Sequence, residues 1–464
     1  MKTIFFYHFF NKFFRIIKTS SCLTRITAKD IIKELIKHKA SRTMCVMQNA
    51  ELRSHFLNAE CRVQNAELRF GGKQALFAFV YPDIIGAKRP SIPNSEFRIP
   101  NSSRSLTLHF STGGEIMNKK VMLGMSGGVD SAVSAWLLKN QGYDVTAVNC
   151  CFYKNKDDNG QAAEDARAVS EKIGIDFRIF DMTIPFREKV IESFVDTYVK
   201  GGTPNPCIVC NRLLKFGTML DEALKNGFDF IATGHYARIE KDEATGRYLL
   251  KKGLDPQKDQ SYVLYCLNQH QLSHTLFPLG EMTKQQSRDE AERLELVNAK
   301  KSDSQDICFI PDGDYAAFIE GYLKKTFPEG DFVTTDGRVL GTHKGIIRYT
   351  VGQRKGLGLA LPAPMYVKEK NVAENRVILS DNESLFSKEL YADNVNLITC
   401  DCLEEPIRAK VKIRYAHKEQ WATVSQTDDG RLHIVFDEPQ RAIAKGQSAV
   451  IYDGDTVVGG GTIV

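Results

Sequence analysis

Residues 121–131 read Val-Met-Leu-Gly-Met-Ser-Gly-Gly-Val-Asp-Ser, and the reading of this stretch decides the fold. An apolar run stops at a Gly-rich turn and a helical pattern begins. Val121 to Met125 predicts a buried parallel strand, while Ala132, Val133, Ala135, Trp136, Leu137 and Leu138 supply one face of a helix, with Ser131 near its start, where a cap is expected. Gly127 and Gly128 let the backbone pass close to an anion, and the free N–H groups of the helix point at it along a favourable dipole. A nucleotide phosphate is the expected ligand. A Walker loop would end in Gly-Lys-Ser/Thr and a dinucleotide fingerprint would read Gly-x-Gly-x-x-Gly, and the stretch has neither. The alternative is a tight turn with no ligand; six specific residues in a strand-turn-helix context weigh against it.

The 464 residues, 42% of them hydrophobic, can bury substantial cores. They should divide into roughly two to four domains. No run of eighteen apolar residues occurs, so no membrane span is expected. Eleven cysteines without framework spacing, and no convincing secretory signal, favour a reducing, cytoplasmic setting and thiols with chemical roles. The net charge of +5 conceals an uneven distribution. Residues 1–116 hold 18 of the 62 Lys/Arg and 8 of the 57 Asp/Glu, leaving 44 basic and 49 acidic residues in the rest. Nucleic-acid binding by that acidic body must use local basic patches.

Residues 1–116 look unlike the remainder. Gln48-Asn-Ala-Glu-Leu-Arg53 recurs as Gln64-Asn-Ala-Glu-Leu-Arg69, with Asn58-Ala-Glu-Cys-Arg62 between and Asn94-Ser-Glu-Phe-Arg98 as a weaker echo, copies too short and irregular for solenoid units. Met1 to Lys29 has no acid and many Phe, Ile, Lys and Arg, as an organelle presequence does. The preferred reading takes Met117 as the natural start and the preceding residues as an atypical extension outside the folded protein.

From Met117 the chain alternates. Asp144 to Cys151 reads as a strand, Ala162 to Ile173 as a helix, Asp176 to Asp181 and Asp229 to Thr233 as further strands. This predicts an α/β domain over 117–315 with a doubly wound parallel sheet. Ligands of such sheets sit beyond the carboxyl ends of the strands, so Ser126 to Ser131, Cys150 and Gly234-His235 should converge on one crevice. Thr203-Pro-Asn-Pro-Cys-Ile-Val-Cys-Asn-Arg212 predicts a shaped loop leading into a helix over Leu213 to Leu224, with Cys210 near the helix N-terminus, where a thiolate is stabilised. Half a zinc site, a redox pair and a structural cysteine compete for Cys207-x-x-Cys210, and Cys207 is the better structural candidate. Leu254 to Tyr262 is by composition a solvated loop, and Cys308, beside Phe309 and Ile310, is by itself more a core residue than a catalytic one.

Residues 316–388 contain little helix and hold Arg348-Tyr-Thr-Val-Gly-Gln-Arg-Lys-Gly-Leu-Gly358, in which Arg348, Arg354 and Lys355 beside Tyr349 suit phosphate and ribose contact. A solvated loop without a partner is the alternative. Residues 389–464 alternate apolar and polar with turns at Asp428-Asp-Gly430 and Asp453-Gly454, which predicts a small antiparallel barrel. Arg408, Lys410, Lys412 and Arg414 recur every second residue and should form a basic stripe facing RNA.

Ser126-Gly-Gly-Val-Asp-Ser131 resembles the pyrophosphate loop of the ATP pyrophosphatases. Gly124 to Ser131, Thr203-Pro-Asn-Pro with Cys210-Asn211, Ala232-Thr-Gly-His-Tyr236, Lys258-Asp-Gln-Ser-Tyr262, Asp303-Ser with Ile307-Cys-Phe309, Gly352 to Gly358, Arg414-Tyr415 and Gly446-Gln-Ser-Ala-Val450 stand in the order found in the tRNA-specific 2-thiouridylases. The resemblance runs from about residue 119 to the C-terminus. It implies that ATP adenylates the C2 oxygen of the wobble uridine and that a persulfide sulfur displaces AMP. It further implies ATP contacts at Gly124, Met125, Ser126, Gly127, Gly128, Val129, Asp130, Ser131, Cys150 and Gly234. Cys308 would carry the persulfide and Cys210 would be nucleophile or resolving thiol. Asn205, Pro206 and Cys207 fall where the family positions the base, and His235, Lys258, Asp259, Gln260, Arg414, Tyr415 and Gln447 where it contacts tRNA. Mg²⁺ is expected at the triphosphate, with Asp130 as a contributor. The family also suggests tRNAs for Lys, Glu and Gln, and a cysteine desulfurase or sulfur-relay protein as donor.

Two positions depart from the family pattern. Cys207 stands where Asp, a candidate general acid/base, is common, and Gln305-Asp306 replaces small residues before Cys308. Two other functions compete: an amidotransferase-type ATP pyrophosphatase acting on a small molecule, which would need neither the two thiols nor a barrel, and a non-catalytic RNA-binding protein with a relic nucleotide fold.

Overall fold

The computed structural model describes residues 69–70, 73–74, 118–153, 160–299, 301 and 307–464. The chain divides into two units, Met1–Thr107 and Leu108–Val464. In the first, Arg69–Phe70 and Lys73–Gln74 pair antiparallel, and the repeats and presequence pattern otherwise lie outside the described residues, as do Asp303 to Asp306.

The second unit begins with the expected sheet. Strands β1 (Lys120–Gly124), β2 (Asp144–Cys151), β3 (Asp176–Asp181), β4 (Phe230–Ala232) and β7 (Thr275–Leu276) run in the order β3-β2-β1-β4-β7, all parallel. A hairpin of β5 (Ala237–Lys241) and β6 (Tyr248–Lys252) intervenes in sequence. Helices cover both faces, which is why β1 reads as an unbroken apolar run. Val121 and Leu123 pack with α1 (Val129–Asn140), α2 (Gln161–Ile173) and α9 (Lys284–Arg293). Met122 packs on the other face, with Phe216, Met219 and Leu220. From central β1 the chain goes to β2 on one side and later to β4 on the other, so the topological switch lies at the carboxyl end of β1.

The loop expected at 203–212 is mostly helix. Chain 206–225 is one continuous helical run: α5 (Pro206–Cys210), a π-helical segment Asn211–Thr218, and α6 (Met219–Lys225). Pro206 stands at the first helical position, where the missing N–H costs nothing, with Asn205 preceding it as N-cap residue. The π segment exposes carbonyls that side chains satisfy: Gln271 Nε2 donates to Arg212 O (3.1 Å) and Phe216 O (2.8 Å), and Thr218 Oγ1 to Leu213 O (3.1 Å). Leu254 to Tyr262 is solvated only in its first half, and Ser261 and Tyr262 are buried. Asp259 accepts from Gly253 N, Ser261 N and Ser261 Oγ, and Gln260 exchanges hydrogen bonds with the Tyr236 backbone. Short helices α3 (Thr183–Phe186), α4 (Glu192–Val199), α7 (Ser261–Leu264) and α8 (Gln269–Ser273) complete the domain.

After helix α10 (Tyr315–Leu323), four strands β8 (Gly330–Thr334), β9 (Val339–His343), β10 (Tyr366–Asn371) and β11 (Arg376–Ser380) make a sheet ordered β9-β8-β11-β10. Strands β12 (Phe386–Leu397), β13 (Ile407–Lys412), β14 (Gln420–Gln426), β15 (Leu432–Arg441), β16 (Ser448–Asp453) and β17 (Thr456–Ile463) then form an antiparallel barrel, closed by pairing of β12 with β17. Ala409 and Val411 face its core while Arg408, Lys410 and Lys412 share the outer face. The β5–β6 hairpin extends the barrel sheet through β17, at Thr456 and Lys251.

Candidate active site

The phosphate loop follows β1. Met125 N donates to Val148 O (2.8 Å) and Asn149 Nδ2 to Met125 O (2.8 Å), tying the loop to β2. Gly127 has φ +73°, and a Cβ there would lie 2.5 Å from Ala162 O, so this glycine is required. Gly128, at φ −94°, is the N-cap residue of α1, and a Cβ on it would meet only Ser126 Oγ, at 3.4 Å. Ser131 is therefore not the cap. Its Oγ donates to Gly128 O (3.1 Å) and accepts from Ser126 N (3.3 Å), bracing the turn from within the helix. Gly234, at the end of β4, approaches so closely that a Cβ would lie 2.9 Å from Ser131 N. The first-turn N–H groups of α1 open onto this crevice, a fit for phosphate oxygens.

Sequence reasoning missed the groups that hold this loop. Asn298 Nδ2 (3.2 Å) and Lys301 Nζ (3.4 Å) both donate to Gly127 O. Lys284 Nζ reaches both carboxylate oxygens of Asp130 (2.8 Å each), and the Tyr236 hydroxyl donates to Asp130 Oδ1 (2.8 Å). Lys284 opens α9 behind Thr283, whose capping box with Gln286 was a readable signal of a helix start but not of its target. Both Asp130 oxygens are thus engaged, and among the described residues no three His, Cys, Asp or Glu side chains gather around a cation position, so a Mg²⁺ at the triphosphate would draw on Asp130 alone, in competition with Lys284.

The expected thiols come together around the helical run. Cys207 lies in its first turn and is exposed; Cys210, five residues in, is buried; Cys308 is exposed; all three are free thiols. The helix terminus thus favours Cys207, not Cys210 as expected from sequence. Burial pushes Cys210 up to about 12, an effect reinforced by Cys308 and Cys207 and opposed by Lys215. Desolvation raises Cys308, Cys207 adds to this, and Lys215 again opposes it. Cys150, at the end of β2, is also pushed up to about 12 by burial, with Lys215 opposing, and its Sγ lies 3.7 Å from Met219 Sδ.

Several residues expected at the tRNA surface are used within the protein. His235 is only 8% exposed; its Nδ1 lies 2.7 Å from Thr233 Oγ1 and its ring between Phe216 and Phe277, and burial holds it well below the ordinary histidine range. Pro206 is buried. Gln447 Nε2 donates to Thr203 O (2.9 Å) and Pro204 O (3.3 Å), so the barrel props the loop before α5. Arg414 donates to Val351 O (3.3 Å) and to Ala442 O. Arg348 pairs with Glu320 (2.6 Å), and Tyr349 is buried. Asn205, Lys258, Arg354, Lys355 and Tyr415 remain at least partly accessible, with the Tyr415 hydroxyl donating to Asp259 O (3.3 Å). On the barrel, Arg408 and Lys410 flank Trp421, itself 49% exposed, and Arg408 pairs with Asp437.

Fold and site together define a nucleotide-binding α/β domain whose phosphate crevice is joined by one helical run to a group of thiols, followed by two β domains. Three family models match in turn: a tRNA methyl transferase HUP domain at 119–312, a tRNA methyl transferase PRC-barrel domain at 316–381 and an aminomethyltransferase beta-barrel domain at 387–463. The chain is 52% identical over 355 residues to the tRNA-specific 2-thiouridylase MnmA of Clostridioides difficile strain 630, covering 75% of this chain and 98% of that protein. It is 50% identical over 355 residues to the protein of that name from Acetivibrio thermocellus, covering 74% and 99%. The chain belongs to the tRNA-specific 2-thiouridylase family.

Proposed function

We propose that this chain thiolates tRNA: ATP adenylates the C2 oxygen of the wobble uridine, and sulfur from an enzyme persulfide replaces it to give 2-thiouridine. The observation that carries the reading is the single helical run that bears Cys207 and Cys210 in its first turns and passes the phosphate loop at Met219, whose Cε would lie 3.4 Å from a Cβ on Gly124. Activation and sulfur transfer are thus served by one crevice. The amidotransferase-type alternative has no use for those thiols.

In this reading the loop Gly124 to Ser131 and Gly234 hold ATP, whose adenine lies near Cys150. The uridine oxygen attacks the α-phosphorus, the bond to the β-phosphate breaks, pyrophosphate leaves, and N3 loses its proton. The C2–O bond now ends in a good leaving group. The Cys308 thiolate attacks the outer sulfur of a persulfide on a cysteine desulfurase or sulfur-relay protein, the donor S–S bond breaks, the donor thiolate leaves, and Cys308 carries the persulfide. Cys210, as thiolate, attacks the Cys308 sulfur, forming a Cys210–Cys308 disulfide and releasing hydrosulfide, which adds to C2 and expels AMP. A cellular dithiol or thiol reductant returns the disulfide to two thiols. Asn205 and Cys207 shape the base pocket. Cys207 has no carboxylate to act as general base, so either another group moves the proton here or the role of the family's usual Asp is not essential. Any Mg²⁺ arrives held by the triphosphate oxygens, the tRNAs are of the Lys, Glu and Gln type, and the enzyme works in the cytoplasm.

Mass spectrometry of tRNA nucleosides from a deletion strain tests the function. Loss of wobble 2-thiouridine, restored by the wild-type gene, is expected; unchanged thiolation with an altered metabolite pool would support the small-molecule alternative instead.

A further inference from the structure

One cation in the crevice has no assigned task. Lys215 is half-buried and, among the described residues, makes no hydrogen bond and no ion pair. A part-buried ammonium without an acceptor is unfavourable unless an anion visits it. Its position follows from the π-helical segment. In an α-helix of 3.6 residues per turn, a residue five positions on points about 140° away. The i→i+5 pattern of Asn211–Thr218 brings it back toward the same line. Cys210, Lys215 and Met219, spaced by five and then four, therefore share one face. The far end of that face is fixed by contact: Met219 Sδ lies 3.7 Å from Cys150 Sγ, and its methyl lies beside Gly124 at the phosphate loop. Lys215 thus stands between the phosphate loop and Cys210. Gly217 permits the geometry, since a Cβ there would lie 3.1 Å from Arg212 O.

The titratable groups that Lys215 faces are Cys150 on β2, Cys210 on its own helix, Cys308 on the following segment and His235 after β4, with Cys207 close to both reactive thiols. Burial keeps His235 neutral, so it adds no positive charge. We infer that Lys215 is a positioning residue for sulfur transfer, its ammonium stabilising the anionic sulfur on Cys210 and Cys308 at the crevice wall. This deepens the reading above and rests on the assignment of those two thiols.

The test is alkylation of the full-length protein by iodoacetamide across pH 7 to 10, with peptide mass spectrometry reading Cys210 and Cys308 separately. In Lys215→Met both should react about tenfold more slowly at a given pH, with the profile moved to higher pH, because a nearby cation favours the thiolate. Lys215→Arg should restore the rate to within about threefold, and ATP affinity should stay within about twofold in both variants. Unchanged alkylation in Lys215→Met, or equal slowing in the Met and Arg variants, would overturn the inference. Loss of ATP binding with normal alkylation would make Lys215 a phosphate ligand instead. Failure of the thiol assignment itself shows separately, as full 2-thiouridine yield in Cys308→Ser.

Discussion

Asp130, in the phosphate loop, has both carboxylate oxygens engaged by neighbouring side chains. Its side chain is 31% exposed, that of Lys284 only 10%, and the two meet through paired 2.8 Å contacts. Asp130→Ala would remove the carboxylate that faces the buried Lys284 ammonium and should cost about 2 kcal/mol of stability, below the usual cost of breaking a buried pair because Asp130 is partly solvated. Urea unfolding of the variant checks this, and Asp130→Ala with Lys284→Met should recover most of the loss. A single variant of full stability would show that the pair holds nothing. His235 allows a pH prediction with a definite sign. Its folded form resists protonation, so below the ordinary value of 6.5 the unfolded chain takes the proton first, and the stability present above 6.5 falls as pH drops. His235→Gln should flatten that acid limb of the urea midpoint against pH. A limb of unchanged slope would assign it to other groups.

Individual segments differ in how far their residues disclosed them. Strand β1, helix α1 and the Gly turn were legible because hydrophobic period, glycine and burial all agree there. Gly127→Ala tests that turn most sharply: positive φ and a contact of 2.5 Å should abolish AMP formation, whereas Gly128→Ala, with room for its methyl, should retain more. Equal activity would remove the turn from the phosphate site. Of the helical run 206–225, residues 213–224 were legible as helix, whereas 206–212 read as a loop because proline breaks a helix interior but here stands at the first helical position, and because a π segment has no sequence period of its own. Its support comes from Gln271, distant in sequence. Gln271→Leu should leave Arg212 O and Phe216 O without donors and cost about 2 kcal/mol, measured by thermal or urea unfolding, with Cys210 alkylation changed because the same segment sets its surroundings. Composition marked Leu254 to Tyr262 as solvated, since nothing local shows that Asp259 and Gln260 are tied to Gly253 and Tyr236.

Within Leu108–Val464, the barrel meets the nucleotide domain at the thiol loop. Gln447 and Lys445 of the barrel bond to Thr203 and Pro204, so the C-terminal domain holds the segment that leads to Cys207 and Cys210. In the assembled fold Arg414 and Gln447 bond to backbone carbonyls of neighbouring segments, while Arg354 and Lys355 are exposed. Lys355→Ala should therefore lower the slope of log affinity for tRNA against log salt by about one without changing ATP affinity, and an unchanged slope would take it out of the interface. Reconstituted thiolation bears most directly on the account as a whole: full-length protein, tRNA, a persulfide donor and ATP are combined, digested nucleosides are read for 2-thiouridine, and intact protein is read for an added mass of about 32 Da, one sulfur atom. We predict ATP-dependent 2-thiouridine from the wild type, no sulfur adduct and no product from Cys308→Ser, and an adduct on Cys308 without product from Cys210→Ser. Product formed without ATP, or wild-type yield from Cys210→Ser with a stable adduct on Cys207, would contradict it.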